Sequence, residues 1–127
     1  MKILLAEDDA SIAAVLQLAL ETIGQHEVDI AADGEVALQL ALSTPYDLIL
    51  MDGMMPKKTG LQVATLYRQQ CASAAPIIFL SAKSQRAEIK EFLAVGTGFI
   101  QKPFIPTQIC QLIDAILKGD LKVAASS

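Results

Sequence analysis

A set of polar residues in this chain immediately follows short apolar runs. Glu7 and Asp8 come after KILLA, Asp52 after DLILM, Ser81 after PIIFL and Lys102 after GFIQ. Apolar runs of this length, bounded by polar residues, are typical of buried strands. If the strand ends met, these carboxylates, the hydroxyl and the ammonium group would form one polar site.

The three carboxylates would repel one another if the fold brought them together. Such a cluster is costly unless a cation binds it or one carboxyl group keeps its proton. Mg²⁺ fits this need, because it prefers oxygen ligands and often combines one or two carboxylates with a phosphate. With Lys102 and the hydroxyl of Ser81 beside it, the same place would hold a phosphoryl group. An aspartate can itself accept that group as an acyl phosphate.

Alternating elements would position these residues. The apolar runs predict strands over residues 3–6, 28–31, 47–51, 76–80 and 99–101. Helical periodicity and capping residues predict helices from 9 or 11 to 24, over 35–43 and 60–70, from 84 or 85 to 95, and over 105–117. This alternation indicates a doubly wound α/β fold, with a parallel sheet covered on both faces. Ligands of such folds bind at the carboxyl ends of the strands.

The apolar residues of the first and last helices recur at the spacing of one helix face. The residues predicted to face the core are Ile12, Val15, Leu16, Ala19, Leu20 and Ile23 in the first helix, and Ile105, Ile109, Leu112, Ile113, Ile116 and Leu117 in the last. Gly24 is predicted to end the first helix, as glycine commonly does.

Length and composition indicate one globular domain. The 127 residues are 53% hydrophobic and 19% charged, which suffices for a core. We expect residues 1–118 to form this domain and 119–127 to be a short tail, with no output domain. The net charge of −4 argues against direct nucleic-acid binding. Without a membrane segment or signal peptide in the sequence, we expect a cytoplasmic protein.

Each motif also has an ordinary structural explanation. The acidic run could be a solvated loop with a helix cap, Asp52 and Gly53 a turn, Ser81 a helix cap and Lys102 a surface lysine. Their joint placement at strand ends, on the same edge of the predicted sheet, favours a functional site instead.

The segments ILLAEDD, DLILMDGMMP, IIFLSAK and FIQKPF resemble the receiver domain of bacterial two-component response regulators. The resemblance extends from residue 2 to about residue 117, and both the order and the spacing of the segments match. It implies a chemotaxis-regulator-like (βα)5 flavodoxin-like fold. In that fold a five-stranded parallel sheet of order 2-1-3-4-5 is flanked by five helices.

The resemblance also implies roles for the acidic residues. Asp52 matches the phosphoacceptor, Asp8 a direct ligand of Mg²⁺, and Glu7 a neighbour that acts through water. The backbone carbonyl of Met54 would be a further metal ligand, and Mn²⁺ is an expected substitute for Mg²⁺. Asp9 falls one place past the matching acidic pair, so we expect it to cap the first helix.

The remaining matches concern the switch. Lys102 resembles the lysine that pairs with the phosphoryl oxygens, and its bond to Pro103 is expected to be cis. Ser81 resembles the hydroxyl residue that moves towards the phosphoryl group. Phe99 resembles the aromatic residue whose inward rotation accompanies activation. The surface of the fourth helix, fifth strand and fifth helix would then change.

The implied partners are proteins. A sensor histidine kinase or a histidine phosphotransfer protein would donate the phosphoryl group from a phosphohistidine, and a target protein would contact the changed surface. The chain would be a phosphoacceptor switch that assists its own phosphorylation and dephosphorylation, and not an enzyme. We expect no contact with nucleic acid or membrane, and either a monomer or a phosphorylation-dependent dimer. A stand-alone receiver and a piece of a larger regulator both stay open.

The chain departs from the commoner receiver pattern at a few places. Phe99 lacks the hydroxyl of the more usual tyrosine. Met54 and Lys83 lie two residues past Asp52 and Ser81, respectively, and neither offers a carboxylate or amide to orient an attacking water. These two residues therefore predict slow self-dephosphorylation and a long-lived signal.

Rival functions make different demands on the sequence. A phosphohydrolase of the haloacid-dehalogenase type would need a second aspartate at the position of Met54. A flavodoxin-like FMN carrier would need a phosphate loop rich in Ser, Thr and Gly where this chain has Glu7 and Asp8. A receiver-shaped binding module would usually have lost an acid, the acceptor or the lysine, and all of these are present.

Overall fold

The computed structural model describes residues 1–82 and 86–124 of the chain. The strands are β1 (Lys2–Ala6), β2 (Glu27–Ala31), β3 (Leu48–Asp52), β4 (Ile77–Ser81), β5 (Gly98–Gln101) and β6 (Val123–Ala124). The helices are α1 (Ala10–Thr22), α2 (Gly34–Ser43), α3 (Gly60–Gln70), α4 (Arg86–Val95) and α5 (Ile109–Leu117), and a 3₁₀ turn at Pro106–Gln108 precedes α5.

The sheet has the strand order β2-β1-β3-β4-β5-β6, and every neighbouring pair is parallel. The predicted doubly wound fold and the order 2-1-3-4-5 are therefore confirmed. The short strand β6 was not predicted. It lies in the segment expected to be a tail, where Val123 pairs with Phe99 and Ala124 with Ile100. Two residues are too few to show a strand periodicity in the sequence.

Side chains of the central strands alternate between two hydrophobic clusters, one on each face of the sheet. In β3, Ile49 and Met51 join the cluster under α2, α3 and α4. Leu48 and Leu50 join the cluster under α1 and α5. Because successive residues of a strand point to opposite faces, a central strand that is covered on both sides has to be apolar throughout. This accounts for the continuous apolar runs of the sequence.

The predicted core face of α1 was too wide. Leu16 and Leu20 are completely buried, whereas Val15 and Ile23 are 46% and 53% exposed. The periodicity places all of them on one side of the helix, but the sheet covers only the middle of that stripe. The helix also ends earlier than predicted, at Thr22, and the left-handed residue that follows is Gln25, with φ 54°, and not Gly24.

The predicted start of the last helix was wrong. Ile105 has an extended backbone, with φ −89° and ψ 115°, and its side chain is mainly exposed. Residues that precede a proline avoid the helical region, so Pro106 keeps Ile105 out of the helix. The start predicted for the fourth helix, at 84 or 85, lies outside the described residues. In the part of the chain that the structure describes, no helix is long and apolar enough to cross a membrane.

Candidate functional site

The carboxyl ends of the three central strands bring the predicted polar residues together. Asp52 and Ser81 are the last residues of β3 and β4, and Glu7 follows β1 directly. Their exposed fractions are 5%, 1% and 1%. The register places Ala6 beside Met51, so these strand ends are level. The sequence could predict this meeting because parallel strands present their carboxyl ends at one edge.

Glu7, Asp8 and Asp52 form the acidic cluster. One carboxylate oxygen from each lies within 4.8 Å of the others, and Asp8 is the exposed member. Asp9 does not belong to the cluster, because its carboxylate accepts hydrogen bonds from the backbone N–H groups of Ser11 and Ile12 at the start of α1. The expectation that Asp9 is a helix cap is therefore confirmed.

Lys102 reaches into the acidic cluster from the end of β5. Its Nζ donates a hydrogen bond to Glu7 Oε1 at 2.7 Å and lies 3.5 Å from Asp52 Oδ2. Its backbone N–H donates to the carbonyl of Ser81 at 2.9 Å, which fixes the lysine next to β4. The peptide bond between Lys102 and Pro103 is cis, as the resemblance implied.

The pKa values of Asp52 and Lys102 both depart from their ordinary values. Desolvation raises the pKa of Asp52 to about 7, and a hydrogen bond with the Glu7 carboxyl group adds to the effect, against the Met54 N–H and the charge of Lys102. Burial alone would lower the pKa of Lys102, but its hydrogen bond to Glu7 and its attraction to Asp52 outweigh burial and raise that pKa. The lysine therefore stays charged between two buried carboxyl groups.

The loop after β3 is held against both Asp52 and the start of α2. Met54 N–H donates to Asp52 Oδ1 at 3.2 Å, while the Met54 side chain is 55% exposed. Gly34 N–H donates to the carbonyl of Pro56 at 3.2 Å. A Cβ on Gly34 would lie only 2.2 Å from the carbonyl oxygen of Lys58. No local pattern in the sequence predicts this contact, although an Asp–Gly pair such as Asp33–Gly34 indicates a turn there.

Phe99 is completely buried in the cluster beneath α4. Its ring stacks on Phe92 at 5.5 Å between centroids, and Phe92 lies 4.7 Å from Phe79. The tip of the Phe92 ring also reaches the space beside Gly53, a contact that no local pattern in the sequence predicts. The other predicted lifetime residue, Lys83, lies outside the described residues.

A largely apolar recess of about 510 Å³ adjoins Lys102. It lies between α1, which contributes Ile12 and Val15, and the chain after β5, which contributes Pro103 and Phe104. Val15 is among the more exposed large apolar residues of the chain. A surface of this kind next to buried charges suits contact with another protein better than contact with water.

This donor set fits a hard divalent cation. Carboxylate oxygens and a backbone carbonyl are the ligands that Mg²⁺ accepts, and Mg²⁺ retains several waters beside one or two carboxylates. Asp8 lies on the open side of the cluster, where a hydrated ion would enter. Lys102 adds a second positive charge close to Asp52, so an anionic group bound there would be neutralised from two sides.

Comparisons with known proteins agree with this geometry. The family described as the response regulator receiver domain matches residues 3–114. The transcriptional regulatory protein DltR of Streptococcus agalactiae is 42% identical over 105 residues, covering 82% of this chain and 46% of its own length. The alkaline phosphatase synthesis transcriptional regulatory protein PhoP of Bacillus subtilis is 38% identical over 127 residues, covering 99% of this chain and 52% of its own length.

Among solved structures, the chemotaxis response regulator CheY4 of Vibrio cholerae superposes with a TM-score of 0.83 at 32% identity. That alignment covers 91% of this chain and 97% of CheY4. By contrast, the chain spans about half the length of the curated relatives it matches.

Proposed function

Because the chain belongs to the response regulator receiver family, we propose that Asp52 accepts a phosphoryl group in two-component signalling. The observation that carries the proposal is the constellation at the strand ends. There, Asp52 shares a buried acidic cluster with Glu7 and Asp8, and the Lys102 ammonium lies 3.5 Å from its carboxylate. The phosphohydrolase and FMN-carrier alternatives lose their support with this family membership.

Mg²⁺ is the cofactor of this proposal, with Mn²⁺ as a substitute. Glu7, Asp8 and Asp52 would hold it, together with the backbone carbonyl of Met54. When bound, the ion supplies positive charge that stabilises the negative charge on the transferring phosphoryl oxygens. A cation at this place would also offset the burial and the nearby Glu7 carboxyl group, which together raise the pKa of Asp52 to about 7.

The chain's own residues account for the rest of the transfer. A carboxylate oxygen of Asp52 attacks phosphorus in line, and the new P–O bond forms as the P–N bond to a donor imidazole breaks. The imidazole leaves with the electron pair of the broken bond. Lys102 turns its ammonium towards the phosphoryl oxygens, where a positioned charge is most effective. Ser81, buried at the end of β4, offers its hydroxyl to the same group.

The donor would be a sensor histidine kinase or a histidine phosphotransfer protein. The apolar recess between α1 and the chain after β5 adjoins Lys102, so a donor helix seated there would present its phosphohistidine to Asp52. The changed surface of α4, β5 and α5 would then bind a downstream protein. A cytoplasmic location is part of the same proposal.

The chain in this proposal is a phosphoacceptor switch and not a turnover enzyme. It assists its own phosphorylation and dephosphorylation, because the groups that stabilise the transferring phosphoryl group belong to it. Added negative charge at Asp52 is a local electrostatic event that biases a two-state fold. A binding module of the same shape would give no such change on phosphorylation.

The test is incubation with acetyl phosphate, with and without Mg²⁺, followed by intact mass measurement. The proposal expects a phosphate adduct that requires Mg²⁺ and disappears in Asp52→Asn. Asp9→Asn is the matched control, because it removes a neighbouring charge outside the acidic cluster while asparagine still caps α1. An adduct that persists in Asp52→Asn, or no adduct on a folded wild-type chain, would overturn the proposal.

A further inference from the structure

The ring of Phe92 lies directly beside the residue that follows the phosphoacceptor. A Cβ atom on Gly53 would lie 2.9 Å from Phe92 Cζ and 3.1 Å from Ser81 Oγ, and these are its two nearest neighbours. The ring tip of Phe92 and the hydroxyl of Ser81 therefore fill the space that Gly53 leaves next to Asp52. Only a residue without a side chain fits at position 53 while both stay in place.

The Phe92 ring also packs against β5. Its ring stacks on that of Phe99 with a centroid distance of 5.5 Å and an angle of 24° between planes. Phe92 is 5% exposed and Phe99 is completely buried. Phe92 belongs to α4 and Phe99 to β5, so this pair of rings joins two of the elements whose surface is expected to change. Phe92 is thus in contact with the site at one edge and with Phe99 at its face.

Because the interior is closely packed, a movement at the tip of the Phe92 ring has to displace neighbouring side chains. Protein interiors contain few voids that could absorb a displaced group, so a movement of Ser81 towards Asp52 changes the space at the tip of Phe92. A phenyl ring is rigid, and a displacement at its tip therefore moves its stacked neighbour and the helix that carries it. Packed elements of this kind tend to have discrete arrangements.

We propose that Phe92 is the positioning residue of the switch, relaying the movement of Ser81 and Gly53 to Phe99. The inference rests on the proposed function of Asp52. It departs from the implied swing of an aromatic residue from solvent, because Phe99 is completely buried here. In this chain the response to phosphorylation is a repacking of two stacked rings, in the order Ser81, Phe92, Phe99.

The experiment is NMR of the ¹⁵N-labelled chain, titrated with beryllofluoride and Mg²⁺ as a phosphoryl mimic. In the wild type, the amide signals of Gly53 and Ser81 report binding, and those of Phe99 and Ile100 report the relay. In Phe92→Leu the shorter side chain breaks the contact with Gly53. We expect the Gly53 and Ser81 signals to shift as in the wild type while the β5 signals lose most of their shift.

Two further variants separate a relay from general loss of packing. Tyr46→Leu truncates another buried ring of the same cluster, near the opposite end of β3 from Asp52, which makes no ring contact with Phe92 or Phe99 among the described residues, so its β5 signals should shift as in the wild type. Phe92→Met retains the length of the side chain in a flexible apolar form and should restore part of the β5 shift.

Each outcome has one meaning. Full β5 shifts in Phe92→Leu, or an equal loss in Tyr46→Leu, would overturn the relay while leaving the proposed function in place. If Gly53 and Ser81 in the wild type do not respond to beryllofluoride and Mg²⁺, the proposed function fails, and the relay fails with it. Loss confined to Phe92→Leu, with partial recovery in Phe92→Met, supports the relay.

Discussion

The Lys102 ammonium is closer to Glu7 than to the proposed acceptor. Its Nζ lies 2.7 Å from Glu7 Oε1 and 3.5 Å from Asp52 Oδ2. Both carboxyl groups are buried, so each depends on this lysine for charge compensation within the chain. Lys102 therefore has a structural role at Glu7 as well as the role proposed for it at the phosphoryl group, and the two roles give different measurable effects.

Replacing Lys102 by methionine should destabilise the protein strongly. The substitution keeps most of the apolar stem but removes the ammonium that pairs with Glu7 and Asp52, and breaking a buried ion pair typically costs about 3–5 kcal/mol. We expect urea unfolding at neutral pH to show a loss of about 2–4 kcal/mol, since one carboxyl group can take up a proton. Added Mg²⁺ should recover part of the loss.

Lys57→Met is the matched control for that change. Lys57 also contacts two acidic residues, Asp33 and Glu35, at 3.7 Å each, but on the surface. Exposed ion pairs contribute little, so its unfolding curve should match the wild type. Equal effects of the two substitutions would contradict the role of burial at Lys102.

Asp52→Asn should stabilise the protein in metal-free buffer, and more so at higher pH. The folded pKa of Asp52 is raised to about 7 from an ordinary value of 3.8, so between these values the folded state binds the proton more tightly than the unfolded state. The unfolding free energy of the wild type therefore falls as pH rises through this window. At pH 8 the variant should be more stable by about 1–3 kcal/mol.

The comparison needs urea unfolding of both proteins at pH 4 and pH 8 in the presence of a chelator. The difference in unfolding free energy between the two proteins should be small at pH 4, where Asp52 of the folded wild type keeps its proton. Lys102 retains Glu7 as a partner in the variant, so its own pairing is not lost. If the difference in unfolding free energy is as large at pH 4 as at pH 8, titration of Asp52 is not its cause.

The lifetime of the acyl phosphate should depend on the residue at position 54. The Met54 side chain is exposed beside Asp52 and cannot orient water, whereas an amide can both donate and accept hydrogen bonds. We predict slow loss of the adduct in the wild type and several-fold faster loss in Met54→Asn, followed by intact mass over time. Met54→Leu, which adds no polar group, should decay like the wild type; a wild-type half-life of seconds would contradict the prediction.

Because Gly53 and Phe92 are in contact, the effects of substitutions at these two positions on the free energy of unfolding should not be independent. Gly53→Ala should cost about 1–3 kcal/mol through overpacking against the ring. In a Phe92→Leu background that cost should shrink by about 0.5–2 kcal/mol, because contacting residues are not additive. Thermal unfolding of the single and double variants measures the difference. The same cycle with Tyr46→Leu, a ring of the same cluster without a ring contact to Phe92 among the described residues, should be additive, and additivity in both cycles would disprove the contact.

Most of the fold and the site could be predicted from the sequence because both depend on short-range patterns. Asp52 and Ser81 end apolar runs, and parallel strands align such ends without further information. The predictions failed where tertiary contacts determine the outcome. Val15 lies on the apolar stripe of α1, but the sheet does not cover it, and Val123 joins the sheet only because β5 offers a free edge for it.

The connections within the site were harder to predict than its members. The sequence assigned Glu7 to the metal and Lys102 to the phosphoryl group, but the 2.7 Å contact between them joins residues at opposite ends of the chain. In the same way, the apolar side chain of Phe92 indicates a core position and nothing more specific. Its contact with Gly53 depends on how α4 packs over β3 and β4, which no local pattern encodes.

In the proposed reaction, Asp52 takes a phosphoryl group from a P–N bond. Phosphoramidate carries the same type of bond as phosphohistidine, so incubation with it, in the presence and absence of Mg²⁺, tests this transfer without a partner protein. Borohydride reduction of the product and peptide mass mapping then locate the acyl phosphate. We predict a Mg²⁺-dependent modification at Asp52 alone. Modification at another residue, or equal modification without Mg²⁺, would contradict the account.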